Sequence, residues 1–317
     1  MKRLPVLVAA LGVLALAGGF AAYLALGSGA PAYTVNGHTV SQSDVDSELR
    51  ALTGNAAFAK AIKQSGSQAL STQPGSIVSS YTAGWLSLRI VQTLVDDAIT
   101  QHHLAVTAAD RSQADGLAVS LLGSQAVLRT LPASFRANLH ARFARIVAVR
   151  DDELARHTAQ LHAAALATCP SHRFVAHILV SSQAEAVAIT GQLAAGADFA
   201  TLARQHSIDG GSAVQGGELG CLDNQQFVTG FEQVAQTQPI GQVSAPVQTQ
   251  FGFHLILVRD QPQTADLESL ALGDVLGLTR GARVTLDPRY GTWDRRNGRV
   301  VPPGAPSSGA AAPAPSG

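Results

Sequence analysis

Two histidines, His177 and His254, each lie within a short apolar run, Phe-Val-Ala-His-Ile-Leu-Val and Phe-Gly-Phe-His-Leu-Ile-Leu-Val. Apolar runs of this length predict buried strands. A neutral imidazole carries one hydrogen-bond donor and one acceptor, and a buried polar group needs partners. The two histidines are therefore candidates for a paired functional site. The alternative interpretation is a pair of core residues that satisfy each other and fix the strand register.

The chain between the histidines contains an ordered series of motifs. A helical stretch is followed by Gly-Ala-Asp-Phe-Ala-Thr-Leu-Ala, a glycine-rich turn ending in Gly-Gly-Glu-Leu-Gly, Phe-Glu-Gln-Val, and Val-Ser-Ala-Pro-Val-Gln-Thr-Gln-Phe-Gly-Phe-His. Strand, helices and strand in this order predict an α+β domain. From Arg173 to Asp260 the series resembles the parvulin-type (PpiC, rotamase) peptidyl-prolyl cis-trans isomerases. The resemblance implies a small antiparallel sheet with surrounding helices.

The chemistry that this resemblance implies cleaves no bond. An Xaa-Pro bond rotates across a barrier of about 20 kcal/mol, because amide resonance must be broken. A catalyst needs an apolar cup for the proline ring and polar groups that favour a twisted amide over the planar one. It needs no nucleophile, metal or cofactor, and we expect none.

The resemblance also implies the roles of individual residues. His177 and His254 correspond to the paired core histidines of the family, Thr249 to a hydroxyl bonded to them, and Asp209 to the acid that often replaces the family's active-site cysteine. Gly210 is the alternative occupant of that last position, because the preceding loop is one residue longer than in some members. The implied substrate-binding residues are Leu219, Phe227, Val228, Phe231 and Phe251.

Two of these positions carry a second interpretation. Phe227 and Phe231 are four residues apart, and aromatic residues at this helical spacing are usually core residues. Val228 stands where many family members have a polar side chain. The loop after the first strand, Ser181 to Glu185, lacks the basic cluster of phosphate-directed members, so a phosphate would find no partner there.

Cys169 and Cys221 are the two cysteines of the chain. An oxidising compartment favours a disulfide between them. In the chain-entropy model, closing a loop of about fifty residues stabilises by roughly 4 kcal/mol. The competing interpretation is a metal site, since Cys169-Pro-Ser-His172 resembles half of one. The sequence has no second half with ligand spacing, so we expect no metal.

The N-terminus predicts export. Lys2 and Arg3 precede an uncharged apolar stretch from Leu4 to Leu26. Its length favours an uncleaved membrane anchor within residues 1–32 over a cleaved signal. Ala30-Pro31-Ala32 also fits the spacing of a cleavage site, which leaves secretion as the alternative. The positive-inside rule places the rest of the chain outside the cytoplasm.

The remaining chain divides into four predicted regions. A small hairpin around Asn36-Gly37 opens an all-helical module at residues 33–168, with helices over 108–128 and 132–167 among others. The isomerase domain follows at 169–262, and residues 263–300 return to pack on the helical module. Residues 301–317 are rich in Pro, Gly, Ala and Ser and are predicted to be disordered.

This layout resembles the exported chaperone-isomerases of the SurA and PrsA type. The resemblance implies that the helical module holds unfolded exported polypeptides while the parvulin domain isomerises their Xaa-Pro bonds. The alternative function is a non-catalytic holdase that uses the parvulin fold only to bind peptides. Equal numbers of acidic and basic residues, 22 of each, provide no electrostatic surface for nucleic acid, which we exclude as a partner.

Overall fold

The computed structural model describes residues 21–22, 30–64, 77–122, 124–224 and 227–304. The chain forms two compact units. The sheet unit comprises residues 151–272, and the helical unit combines the described residues before 151 with those from 273 onward. In the described part of the chain, no helix is both long enough and apolar enough to cross a bilayer.

The α-helices differ widely in length, from one turn to nearly ten. They are α1 (Gln42–Thr53), α2 (Ala56–Gln64), α3 (Ser79–Gln101), α4 (Ala108–Leu122), α5 (Gln125–Thr130), α6 (Ala133–Ala167), α7 (Gln183–Ala194), α8 (Phe199–His206), α9 (Gly210–Ala213), α10 (Thr229–Thr237) and α11 (Thr264–Gly277). The boundary between the two units falls inside α6, between residues 150 and 151.

The strands are short and all their pairings are antiparallel. They are β1 (Ala21–Ala22), β2 (Pro31–Val35), β3 (His38–Ser41), β4 (Ile77–Val78), β5 (Phe174–Val180), β6 (Glu218–Cys221), β7 (Val247–Thr249), β8 (Gly252–Arg259), β9 (Val284–Leu286), β10 (Thr292–Asp294) and β11 (Arg299–Val301).

A four-stranded sheet in the order β6-β5-β8-β7 forms the centre of the sheet unit. All seven residues of β5 are buried, because helices cover both faces of the sheet. On one face Ile178 and Leu255 pack against α7 and α8, and on the other Val175 and Ile256 pack against α10. His177 lies two residues from Val175 and therefore on the face that α10 covers.

Local capping explains where the helices of this unit begin and end. The Ser182 side chain accepts a hydrogen bond from the Glu185 amide at the start of α7, and the Asp198 side chain accepts one from the Thr201 amide at the start of α8. After α7 the chain turns at Gly196, whose φ of +90° suits a residue without a side chain. These caps fix the connections between β5 and the site residues that follow.

The helical unit has a small sheet of its own. The hairpin of β2 and β3 is extended by β9 into a three-stranded sheet in the order β3-β2-β9. Beside it lies a core that includes the fully buried Trp85, whose ring stacks on Phe135 at 5.9 Å. The Tyr290 hydroxyl donates a hydrogen bond to Asp46 Oδ1 at 3.0 Å. The segment that follows the sheet unit is thus bonded to α1.

Several helix and unit boundaries in the structure differ from those expected from the sequence. The single helix expected over 108–128 is two helices, and Ser124 caps the second by accepting the Val127 amide. The unit boundaries lie at 150/151 and 272/273, whereas we expected them at 168/169 and 262/263. The reason is that Leu161 and Leu267, on the two flanking helices, pack in one cluster with the cysteines. The hairpin expected around Asn36-Gly37 is formed by β2 and β3.

Both chain ends fall largely outside the described residues. The expected anchor covers residues 1–32, of which 21–22, 30, 31 and 32 are described, and Pro31 and Ala32 belong to β2. The expected disordered tail begins at Val301, but this residue ends β11. Residues 305–317 lie outside the described part of the chain.

Candidate active site

His177 and His254 face each other in the middle of the sheet. Leu179 is paired with His254 and His177 with Ile256, so the two histidines occupy diagonal positions on β5 and β8. Their Nδ1 atoms are 3.0 Å apart. His177 is 6% exposed and His254 is 4% exposed, so each must find its hydrogen-bond partners within the protein.

Asp209 lies on the far side of His177. Its Oδ2 is 2.8 Å from His177 Nε2 and accepts a hydrogen bond from Ser212 Oγ at 2.7 Å. Asp209 precedes α9, and its Oδ1 accepts the Gly211 amide at 3.1 Å. The carboxylate is thus held in place by its own turn while it contacts the histidine.

Backbone bonds to β5 hold the turn that carries Asp209. The Ile208 amide donates to the Leu179 carbonyl at 2.8 Å, and the His177 amide donates to the Gly217 carbonyl at 2.8 Å. Gly217 has a φ of +86°, and a side chain there would collide with the His177 carbonyl. The glycine-rich sequence therefore allows the turn to pack directly against the strand.

Thr249 is the hydrogen-bond partner of His254 on the side away from His177. Thr249 Oγ1 lies 2.8 Å from His254 Nε2 and accepts the Phe251 amide at 3.1 Å. The chain reverses between β7 and β8 at Gly252, which has a φ of +136° and closely approaches the Val180 carbonyl. This bend brings together two residues that are five positions apart.

The protonation states give the hydrogen bonds a direction. The hydrogen bond from His177 is the main reason that the pKa of Asp209 lies below its ordinary value, although partial burial opposes this. Burial, and to a smaller extent the neighbouring His177, lower the pKa of His254 to about 4. At neutral pH Asp209 is therefore an acceptor and His254 is uncharged.

Because Asp209 accepts, one arrangement of neutral imidazoles gives every ring nitrogen a partner. Thr249 donates to His254 Nε2, His254 donates from Nδ1 to His177 Nδ1, and His177 donates from Nε2 to Asp209. All donors point the same way, towards the carboxylate. The arrangement is a polarised chain of hydrogen bonds that runs through the sheet.

An apolar wall borders this chain of hydrogen bonds. Phe231 is 2% exposed and presents its face or edge to both imidazoles, with ring centroids 5.7 Å from His177 and 5.2 Å from His254. Phe227 stacks on Phe231 at 4.7 Å. Leu219, Phe227, Val228 and Val247 are partly buried against the same cluster, so part of this apolar surface remains open to solvent.

The structure brings most of the expected site residues together, with two exceptions in detail. Phe251 contributes its amide to Thr249, but its side chain is 57% exposed. Val228 precedes α10 and forms no side-chain capping bond. Asp209 provides the carboxylate at His177, and Gly210 is the first residue of α9.

Sequence reasoning missed Ser212. Its hydroxyl is 3.1 Å from His177 Nε2 and 2.7 Å from Asp209 Oδ2, and the residue is 5% exposed. Its spacing three residues after Asp209, on one helical turn, could have indicated that the two side chains lie together.

Cys169 and Cys221 form a disulfide with a Cα separation of 5.6 Å. It joins the chain after α6 to the end of β6. The carboxylate of Asp223 lies beside it and accepts the Ser171 amide at 2.7 Å. Sulfur atoms joined in a disulfide are not thiolate ligands, so the alternative of a metal site at Cys169 has no support here.

One more titratable group lies close to the site. Glu218, on β6 next to Gly217, accepts a hydrogen bond from Arg259 at 2.6 Å, and its side chain is 8% exposed. Burial raises the pKa of Glu218 to about 7, repulsion from Asp266 raises it as well, and Arg259 acts against both. Glu218 Oε2 has no hydrogen-bond partner among the described residues.

The stretch of chain that carries these side chains matches a known family of domains. The family model of the PPIC-type PPIASE (rotamase) domain matches residues 177–260. The chain therefore contains a parvulin-type domain, as the motif series predicted, within an α+β sheet unit attached to a mainly helical part. Over about a third of its length, the chain is also similar to proteins named as a foldase and a chaperone.

Three relatives illustrate the likeness. The foldase protein PrsA of Exiguobacterium sibiricum is 44% identical over 119 residues, 36% of this chain and 39% of the relative. The chaperone SurA of Legionella pneumophila is 39% identical over 104 residues, 30% of this chain and 24% of the relative. The solved structure of NmPin, the parvulin of Nitrosopumilus maritimus, is 41% identical, with 27% of this chain and 95% of that chain covered and a TM-score of 0.26. The chain thus spans less than two fifths of the length of the two curated relatives.

Proposed function

We propose that the sheet unit is a peptidyl-prolyl cis-trans isomerase. The observation that supports this most directly is the hydrogen-bond chain from Thr249 through the two histidines to Asp209, beside the apolar wall of Phe231. The wall provides an apolar surface for a prolyl ring. The chain of hydrogen bonds holds the ionised, partly buried carboxylate of Asp209 beside this surface.

An ionised carboxylate favours the twisted amide on electrostatic grounds. In the planar amide, resonance places partial negative charge on the carbonyl oxygen, and twisting removes part of it. A fixed negative charge near that oxygen therefore repels the planar form more than the twisted one, which is differential stabilisation of the transition state. In this proposal Asp209 faces the carbonyl of the residue before proline, while Ser212 and His177 hold the carboxylate in position.

The rest of the chain extends the proposal to a chaperone. The relatives are named as a foldase and a chaperone, and the apolar sequence from Leu4 to Leu26 follows two basic residues. We propose that the partners are unfolded or partly folded exported polypeptides with Xaa-Pro bonds, which the helical unit holds. The protein would act outside the cytoplasm, anchored by its N-terminal segment, or secreted if that segment is cleaved.

A non-catalytic holdase is the second candidate. Val228 supports it, because a valine at the edge of the apolar wall offers no polar atom to the reacting amide. The exposed Phe251 also fits a surface that binds apolar peptides. This candidate keeps peptide binding and omits isomerisation.

Two measurements on the full-length chain separate the candidates. NMR exchange spectroscopy on a short Ala-Pro peptide measures isomerisation directly, and light scattering of a denatured client measures suppression of aggregation. The isomerase proposal expects faster exchange that falls at least about tenfold in Asp209→Ala. Suppressed aggregation with an unchanged exchange rate at high protein concentration would establish the holdase instead.

A further inference from the structure

Arg173 is bonded to the C-terminal end of α10, the helix that carries Phe231 in its first turn. The residue comes directly before β5, and its side chain is half-buried. Its Nε donates to the Ala235 carbonyl at 2.9 Å, and its Nη2 donates to the Gln238 carbonyl. One planar guanidinium is therefore bonded to two carbonyls at the same helix end.

The Ala235 carbonyl depends on a donor from outside the helix. The last carbonyls of an α-helix have no partner within it. The residue four positions after Ala235 is Pro239, which has no amide hydrogen and cannot donate. Ala235 is 0% exposed, and an unpaired buried carbonyl is costly. Arg173 supplies the hydrogen bond that the chain beyond α10 lacks.

Arginine has both the geometry and the charge for this position. Its guanidinium presents donors as a rigid fork, whereas the ammonium group of lysine is a point charge. The partial negative charge at a helix C-terminus favours a cation there. The fork therefore fixes where the end of α10 lies, in addition to stabilising it.

The backbone of Arg173 is itself held by the sheet. The Leu222 amide donates to the Arg173 carbonyl at 2.8 Å. The next residue, Phe174, is paired with Cys221 on one side and with Arg259 on the other. Arg173 thus has its main chain bonded to the end of β6 and its side chain bonded to the helix that covers the sheet.

The position of α10 decides the position of the apolar wall at the site. Phe231 and Ala235 are four residues apart on one face of the helix, and both pack in the cluster with Val175 and Ile256. Apolar packing has no preferred direction, so it resists separation of helix and sheet more than sliding. A shift of the helix would carry the Phe231 ring away from the two imidazoles.

We propose that Arg173 is a positioning residue for the candidate active site, which acts through α10 to hold the Phe231 ring beside the histidines. This inference rests on the proposed isomerase function, in which Phe231 provides the surface for the prolyl ring. Such a surface holds the ring in the ground state and in the transition state alike. Its displacement should therefore raise KM more than it lowers kcat.

The test compares Arg173→Met with the parent protein in the full-length chain. Methionine keeps an unbranched apolar stem and removes the donors. Exchange NMR at several concentrations of an Ala-Pro peptide gives kcat and KM. We expect KM to rise about threefold to tenfold, while kcat changes less than about twofold. The Hε1 resonances of His177 and His254 should also move, because both rings lie within the ring current of Phe231.

Ile189→Val is the matched control for lost stability. Ile189 is 1% exposed in the cluster on the opposite face of the sheet, and the change should lower the melting temperature by a few degrees. A chain that is merely less stable has fewer folded molecules, so its apparent kcat falls and its KM does not. The control should keep the parent KM and the parent histidine resonances. Arg173→Met behaving like this control would overturn the proposal.

A second variant covers the case in which Arg173→Met does not fold. Arg173→Lys keeps the charge but loses the fork, and it should show the same changes at smaller size. Parent values of both KM and the histidine resonances in this variant would also overturn the proposal. If the parent protein accelerates no peptide, the isomerase proposal fails, and the resonances alone decide the role of Arg173: shifted resonances support it, and unchanged ones refute it.

Discussion

Thr249 lies directly against His254, with 2.8 Å between Oγ1 and Nε2, because the chain reverses at Gly252. The same hydroxyl oxygen accepts the Phe251 amide. Thr249 thereby fixes both the bend before β8 and the tautomer of His254. Its hydroxyl is the first donor of the chain that ends at Asp209.

Replacing Thr249 with valine should therefore reduce catalysis more than it reduces stability. The variant keeps the shape of the side chain but leaves His254 Nε2 without a donor, so the imidazole is free to change tautomer. We expect kcat for a Xaa-Pro peptide to fall about tenfold and the free energy of unfolding by about 1 kcal/mol. Thr249→Ser retains the hydroxyl and should retain most of kcat; an equal loss in both variants would contradict this role.

His254→Ala should destabilise the sheet unit. The change leaves a cavity between Phe231 and His177 and removes the partner of His177 Nδ1 in a buried setting. We expect a loss of about 2–4 kcal/mol, measured by urea denaturation of the full-length chain. His206→Ala, in the partly buried last turn of α8, is the control and should change stability by less than about 1 kcal/mol.

The disulfide should contribute strongly to the sheet unit. Cys169 and Cys221 are 52 residues apart, and closing a loop of this length limits the unfolded chain. The chain-entropy model gives about 4 kcal/mol. Replacing both cysteines with serine should lower the melting temperature by several degrees. Adding a reductant should lower the melting temperature of the parent protein and leave that of the double variant unchanged. If neither the double substitution nor the reductant alters the melting temperature, the disulfide does not stabilise the protein.

Glu218 should make stability depend on pH near neutrality. Its pKa is raised from 4.5 when unfolded to about 7 in the folded chain, so the native state favours the protonated form. The resulting stability is fully present below 4.5 and is lost as the pH rises through 7. His254 acts in a different window: its pKa is lowered from 6.5 to about 4, so its contribution is present above 6.5 and is lost on further acidification.

Between about pH 6.5 and about pH 8.5 Glu218 titrates in the folded chain, while His254 contributes a smaller slope of opposite sign that is common to the parent protein and to Glu218→Gln. Over this range acidification should stabilise the parent protein by about 1 kcal/mol relative to Glu218→Gln. Asp266→Asn should move the transition to lower pH, because the Asp266 carboxylate raises the pKa of Glu218. A slope that survives in Glu218→Gln would assign the titration to another group.

In the helical unit, Tyr290→Phe should be costly although it removes a single atom. The Tyr290 hydroxyl donates to Asp46 Oδ1 at 3.0 Å, and Asp46 is 3% exposed. Leaving the buried Asp46 carboxyl group without this donor should cost about 1–3 kcal/mol. Tyr81→Phe is a close control, since the buried Tyr81 hydroxyl has no hydrogen-bond partner among the described residues, and its loss should be neutral or stabilising.

Much of the sheet unit could be predicted from local patterns. The apolar runs around His177 and His254 predict β5 and β8, and Ser182, Asp198 and Gly196 mark the helix ends, because these signals act within a few residues. The residues proposed for the site came from the resemblance of the motif series to the parvulin family. Ser212 was missed, because one serine in a turn has no signature of its own until the turn is folded onto β5.

Contacts between distant segments could not be predicted in the same way. The pairing of β9 with β2 and the bond between Arg259 and Glu218 leave no periodic trace in the sequence. The compact sheet unit extends beyond the expected domain at 169–262 for a similar reason: Leu161 and Leu267 pack with Cys169, although nothing in their own helices indicates it. Packing across the chain decides such boundaries, and periodicity reports only the exposed and buried faces of each element.

The sheet order β3-β2-β9 carries a consequence for synthesis at the ribosome. The strand β2 finds one neighbour within a few residues, but its second neighbour, Val284–Leu286, is translated some 250 residues later. The sheet unit is one continuous stretch of chain that precedes β9, so it leaves the ribosome before β9 does. The edge of β2 that pairs with β9 therefore stays without this partner until the whole sheet unit has been made.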